Sequence, residues 1–184
     1  MKKLVFLMAL FCSLTAHAQL PSQGSWLVGA EVGELEAGWG RTNVRRSSIS
    51  LTPLAGYFIT NRFVLGAGIP LGASSYELGG QRTNTSIVGI EPFFRYYLND
   101  QQLRPYLTGG LGFVNQSSRI NEGPTSTTRS FSGNLGLGLG YFISRNVSFD
   151  GVLRYQYTND ETGPVTANTN GINLKAGFSI FLGR

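Results

Sequence analysis

Between Ile172 and Leu182 every second residue is apolar: Ile172, Leu174, Ala176, Phe178, Ile180 and Leu182. The interleaved row is Asn173, Lys175, Gly177, Ser179, Phe181 and Gly183, mostly polar or glycine. A period of two is the signature of a β-strand with two unlike faces. The same pattern recurs up the chain, with charges on one face only. An unbroken apolar face needs an apolar solvent, and for a set of such strands a lipid bilayer supplies it. The reading is therefore an all-β, antiparallel, up-and-down transmembrane barrel of eight strands.

Eight alternating segments carry this reading. The first, Ser25 to Gly33, sets Trp26, Val28, Ala30 and Val32 against Glu31. The second opposes Ile49, Leu51, Pro53, Ala55, Tyr57 and Ile59 to Leu54, Gly56 and Phe58. The others run from Phe63 to Gly72, Val88 to Leu98, Leu107 to Phe113, Phe131 to Ile143, Val147 to Tyr157 and Ile172 to Leu182. Segments of about ten residues at a steep tilt suffice to cross the hydrocarbon. The first segment has few good positions before Glu34 and Glu36, so a bulge or a short strand is expected there.

Connections alternate in length. Thr60-Asn61-Arg62, Asn99 to Arg104 and Ser144-Arg145-Asn146 are short. Long polar loops are expected near Ala37 to Arg46, Ser74 to Asn84, Gln116 to Arg129 and Asn159 to Asn170. Three short and four long connections match periplasmic turns and surface loops, with both termini in the periplasm. Gly56-Tyr57-Phe58-Ile59-Thr60 and Gly140-Tyr141-Phe142-Ile143-Ser144 repeat one strand end, and Tyr96-Tyr97 holds the equivalent place. These aromatics are expected to form an interfacial girdle.

Residues 1–18 have the layout of a cleaved secretory signal: Lys2 and Lys3, an apolar stretch from Leu4 to Leu14, and Ala16-His17-Ala18. Phe11 before Cys12 does not suit a lipoprotein signal, so no lipid anchor is expected. The mature domain is then 19–184, and cleavage removes the one cysteine and the one histidine. That excludes a disulfide, a thiolate or imidazole metal site, and Ser-His or Cys-His nucleophiles. Losing Lys2 and Lys3 lowers the net charge from +5 to +3, too little and too scattered for a nucleic-acid surface. Charged residues make up 14% of the chain, against about 25% in soluble domains.

Glu31, Glu91, Arg95, Asp150, Arg154 and Lys175 share the parity of the polar face. A basic residue on the lipid face costs roughly 2–4 kcal/mol at mid-bilayer, so all six are assigned to the lumen. An eight-stranded barrel is just wide enough for side chains to fill it. The expectation is an ion-pair network that plugs the lumen, with a gated polar path for small ions as the alternative. Gly136-Leu137-Gly138-Leu139-Gly140 precedes no helix and is read as an interior glycine stripe rather than a dinucleotide loop. Asn159-Asp160-Glu161 matches no calcium-loop spacing and is read as a solvated loop tip. Arg45, Arg46, Arg82 and Arg129 lie in or beside the long loops, and are read either as contacts for lipopolysaccharide phosphates or as ordinary solvated loop charges.

Gly24-Ser25-Trp26-Leu27-Val28-Gly29, Pro53-Leu54-Ala55-Gly56-Tyr57-Phe58, Pro92-Phe93-Phe94-Arg95-Tyr96-Tyr97 and Pro105-Tyr106-Leu107 resemble the small bacterial outer-membrane barrels of OmpA/OmpX type. The likeness extends to the outer membrane protein β-barrel domain family. It implies a monomer integral to the outer membrane, without cofactors, in contact with lipid, lipopolysaccharide and an unidentified extracellular partner. In the last strand Lys175, Gly177, Ile180 and Leu182 resemble the signal read by the barrel-assembly machinery. The function expected is non-enzymatic, in adhesion or envelope structure. A small diffusion pore and a soluble lipocalin-like secreted barrel are the alternatives.

Overall fold

The computed structural model describes residues 23–39, 45–78, 80–121, 123–162 and 165–183, with the backbone alone at 34–39, 45–46, 162 and 165. The expected signal, residues 1–18, lies outside the described residues. Nine strands follow in chain order: β1 (Trp26–Trp39), β2 (Arg45–Phe58), β3 (Phe63–Gly68), β4 (Leu71–Leu78), β5 (Gln81–Tyr97), β6 (Leu103–Ile120), β7 (Thr125–Phe142), β8 (Val147–Thr162) and β9 (Val165–Leu182). Sequence neighbours other than β3 and β4 pair antiparallel, β3 and β4 both pair with β2 and β5, and β1 pairs with both β2 and β9. The sheet is a closed ring.

Nine strands make eight staves, because β3 and β4 are one stave interrupted at Ile69-Pro70. Leu54 faces Gly68 and Leu51 faces Leu71 on one side, while Glu91 faces Gly68 and Val88 faces Leu71 on the other. No residue is gained or lost across the break. Pro70 has no N–H for the ladder, but its carbonyl accepts from Gly89 and the Ile69 N–H reaches the Pro53 carbonyl. β1 slips register between Gly33 and Glu36, so of the two expectations there, a bulge or a short strand, the 14-residue strand shows the bulge. Among the described residues the β1–β9 ladder ends just there, at Gly33 and Lys175.

The two rows sort as the alternation requires. Leu65, Ile90, Leu111, Leu137, Leu153 and Leu174 point outward, and the interior holds Thr52, Arg95, Thr108, Asn134, Asp150 and Arg154. The turns at the two repeated strand ends are built alike. Ile59 and Thr60 donate to the Phe63 carbonyl as Ile143 and Ser144 donate to that of Val147. The Thr60 and Ser144 hydroxyls then accept from the backbone of Arg62 and Asn146.

Two expectations need correction. Tyr57, Tyr96 and Tyr141 face outward beside Trp26, whose ring meets that of Tyr57 edge-on at 5.2 Å. Phe58, Tyr97 and Phe142, however, turn into the barrel. Adjacent strand residues must face opposite ways, so only half of each aromatic pair can join the girdle. The inward half meets Tyr106 and Phe181 in a ring cluster, with Phe142 and Phe181 stacked at 5.0 Å and Tyr97 and Tyr106 tilted to each other at 5.4 Å. This cluster, with Leu27, Leu54, Val64 and Val152, is the apolar core.

The second correction concerns the long loops. Most of Ser74 to Asn84, Gln116 to Arg129 and Asn159 to Asn170 is strand: β4 runs to Leu78 and β5 starts at Gln81, β6 runs to Ile120 and β7 starts at Thr125, and β8 runs to Thr162 and β9 starts at Val165. Of the expected loop from Ala37 to Arg46, residues 40–44 lie outside the described residues. β6, β7 and β9 reach 18 residues each, against the 9–11 or so that a tilted strand needs to cross hydrocarbon. These extensions are rich in Ser, Thr and Asn on both faces, so they lack the apolar row that marks a strand. Asn159-Asp160-Glu161 accordingly lies within β8, with Asp160 accepting from Ser130 inside the barrel while Asn159 and Glu161 line an outer groove.

Two substitutions test the facing. Leu137, 62% exposed on the outward row, should as Leu137→Arg lose roughly 2–4 kcal/mol of folding free energy in lipid vesicles, read by urea titration. At Gly138 an added Cβ would sit 2.1 Å from the Tyr106 ring. Gly138→Val should cost about 1–3 kcal/mol in the same titration by displacing that ring.

Candidate functional site

The interior is layered. At the turn end lie the five aromatic rings and Arg104. The Arg104 Nε donates to the Gln101 carbonyl at 2.7 Å, and its guanidinium stands 3.7 Å from the Phe142 ring centroid, a cation–π contact. The segments read from sequence do not mark Arg104 or Tyr106 as interior residues. Both share the parity of Thr108, which is the signal that would have found them. Between two adjacent turns outside the barrel, Arg62 pairs with Asp100 at 3.1 Å, and this neighbour raises the Arg62 pKa above its ordinary value.

Above the rings lies the charged layer. β1 contributes Glu31, β5 contributes Glu91 and Arg95, and β8 contributes Asp150 and Arg154, all from the inward row. The Arg154 Nη2 donates to both Glu31 oxygens, at 2.7 and 2.8 Å, and Nη1 reaches Glu91 Oε1 at 3.2 Å. Its stem passes over Gly136, where a Cβ would come within 2.8 Å of Arg154 Cγ. The Arg95 Nη2 lies 3.4 Å from Glu31 Oε1, and Nη1 lies 3.8 Å from Asp150 Oδ2.

Neutral groups complete the set. Arg95 donates to the Tyr97 and Ser179 hydroxyls at 3.3 Å, and Ser179 and Ser148 donate to Asp150. The Asn134 Nδ2 donates to Glu91 Oε1 at 3.2 Å. The Arg95 guanidinium also lies 4.3 Å from the Tyr106 ring centroid, which joins the charged layer to the aromatic one. Glu31 and Arg95 are almost wholly buried, at 3% and 1% exposure. Side chains this deep hold charge only when paired and hydrogen-bonded.

The structure thus brings five of the six charges assigned to the lumen from sequence into one cluster. Lys175 stands apart on β9, opposite Gly33, with its stem against that glycine. Of the residues read from sequence as an assembly signal, Lys175 and Gly177 lie on the inward row of β9, while Ile180 faces Val28 and Leu182 faces Trp26 at the seam with β1. Arg82 is exposed, its Nε held by Ser75 at 3.1 Å and Asn84 at 3.2 Å. Arg129 is exposed on the outward row of β7, between Asn115 and Glu161. Of Arg45 and Arg46 only the β2 backbone is described.

Comparison with known proteins agrees with this architecture. A family model described as outer membrane protein beta-barrel domain matches residues 4–179. Among solved structures, Neisserial surface protein A is 21% identical, with 86% of this chain and 97% of that chain covered and a TM-score of 0.58. A major outer membrane protein from Thermus thermophilus is 12% identical, with coverages of 86% and 99% and a TM-score of 0.54. The N-terminal β-barrel domain of Pseudomonas aeruginosa OprF is 18% identical, with coverages of 87% and 98% and a TM-score of 0.51. At these identities the likeness is one of fold. No functionally curated protein matches the sequence significantly. The family model spans nearly the whole chain, and the protein belongs to the outer membrane protein β-barrel domain family of the bacterial outer membrane.

Proposed function

We propose that this chain is a non-enzymatic, monomeric barrel whose lumen is plugged and whose projecting hairpins make contacts at the cell surface or stabilise the envelope. The observation that carries the reading is the pair of stacked interior layers: five aromatic rings at the turn end, and above them the Glu31–Arg154–Glu91 and Arg95–Asp150 cluster. A bore this narrow is filled by such side chains. The absence of histidine and cysteine from residues 19–184 supports a non-enzymatic role. The outward apolar row speaks against a soluble ligand-binding barrel, where it would face in. In this reading Lys175, Gly177, Ile180 and Leu182 serve as the strand that the assembly machinery recognises.

Arg95→Ala tests the plug. Removing Arg95 leaves Glu31 and Asp150 short of a buried partner, which typically costs 3–5 kcal/mol where desolvation is complete. Urea unfolding in vesicles should show a loss of that order, while planar-bilayer recording should show little steady current from wild type or variant. Robust wild-type channels together with unchanged unfolding of the variant would favour the diffusion pore.

Orientation is tested separately. With the long hairpins outside, a cysteine replacing the exposed Ser126 should react with an impermeant thiol reagent on whole cells. One replacing Asn61, in a turn, should not react. The opposite labelling pattern would invert the topology.

A further inference from the structure

On the outer wall two concavities lie in line along the barrel, one spanning β3 and β5 to β8 and the other β6 to β8. The lower is an apolar trough of about 730 Å³ whose floor includes Gly109 and Gly133 and whose walls include Leu111, Leu135 and Tyr155. Sites that hold small molecules run from roughly 300 to 1,000 Å³. The open part of the floor is at Gly133, whereas Gly109 lies beneath Leu135 and Phe94. At Gly133 a Cβ would meet only Leu111 Cδ2, at 3.9 Å. Further along β6, β7 and β8, in the direction of the long hairpins, comes a smaller groove of about 220 Å³.

The smaller groove is amphipathic. Its apolar part is the Phe113–Phe131 pair, with ring centroids 5.1 Å apart. Its polar part is Arg129 with Asn115, Asn159 and Glu161. In register, Phe113 faces Phe131 and Asn115 faces Arg129 across β6 and β7, and Arg129 faces Glu161 across β7 and β8. Along one column the wall therefore changes from an apolar trough, through two rings, to a guanidinium and two amides.

We infer that this column seats one molecule of a phosphorylated outer-leaflet glycolipid, the lipid A portion of lipopolysaccharide. One acyl chain lies in the trough, and a phosphate rests on Arg129. The commitment to lipid A follows from the end of the barrel at which Arg129 lies, beside the long hairpins, and so rests on the orientation proposed above. An arginine fork binds phosphate oxygens in two parallel hydrogen bonds. Glu161 opposes the phosphate and sets a sign: its removal strengthens the seat.

The probe is bisphosphorylated lipid A, added to the full barrel in phosphatidylcholine nanodiscs, with retained lipid counted by native mass spectrometry after detergent extraction. Wild type should retain one molecule. Arg129→Gln and Gly133→Leu should each lower retention about tenfold, whereas Glu161→Gln should raise it. Gly151→Leu, at an outward glycine where a Cβ meets nothing within 4 Å, should leave it unchanged and controls for folding. Equal retention by wild type, Arg129→Gln and Gly133→Leu would overturn the seat. Equal retention of phosphatidylglycerol would overturn the assignment to lipid A. Cell-surface labelling at Ser126 with no lipid A retained would sink the seat alone, while labelling at Asn61 instead would sink the orientation on which it rests.

Discussion

Hydrocarbon offers no hydrogen bonds, so each backbone N–H and C=O within it must find a partner in the protein. In this chain the requirement is met by closing the sheet, with β1 joined to β9 on one side and to β2 on the other. Much else follows from closure. A ring of paired strands has an inside and an outside, and alternate residues are committed to one or the other. The tolerance of the ladder is visible at Pro70, where the stave loses one donor but its neighbours keep their register.

Parity made most of this legible in the sequence. Placing Glu31, Glu91, Arg95, Asp150, Arg154 and Lys175 on one row needed only counting, since each lies an even number of residues from inward neighbours in its own strand. What parity could not supply was contact across the bore. That Arg154 of β8 reaches Glu31 of β1, or that Lys175 stands apart, depends on strand tilt and side-chain length. The strand extensions escape a reading of alternation for a different reason: Thr125 to Ser130 and Thr166 to Asn170 are polar on both faces, and alternation in polarity vanishes where both faces meet water. Tyr106 and Arg104 escape it because the fifth apolar segment begins at Leu107, just past them.

The two interior layers solve the filling problem by different physics. Aromatic rings gain from burial and from one another at distances near 5 Å. The charged layer begins from a desolvation penalty that its ion pairs and hydrogen bonds offset. This explains why Asp150 draws on two serines besides Arg95, and why Glu91 draws on Asn134 besides Arg154. Neutral donors supply what the guanidiniums leave unmet, and low dielectric strengthens every bond so formed.

The repeated strand ends at Gly56–Thr60 and Gly140–Ser144 lie four staves apart in a ring of eight. They therefore stand opposite each other, and the chain divides into two comparable halves, β1 to β5 and β6 to β9. Of the six interior charges read from sequence, the first half carries Glu31, Glu91 and Arg95, a balance of −1. The second carries Asp150, Arg154 and Lys175, a balance of +1. Each half is thus the electrostatic complement of the other and a poor match for its own copy. In a crowded membrane, where half-formed sheets of neighbouring chains present the same open edges, this asymmetry disfavours the pairing of like halves from two chains.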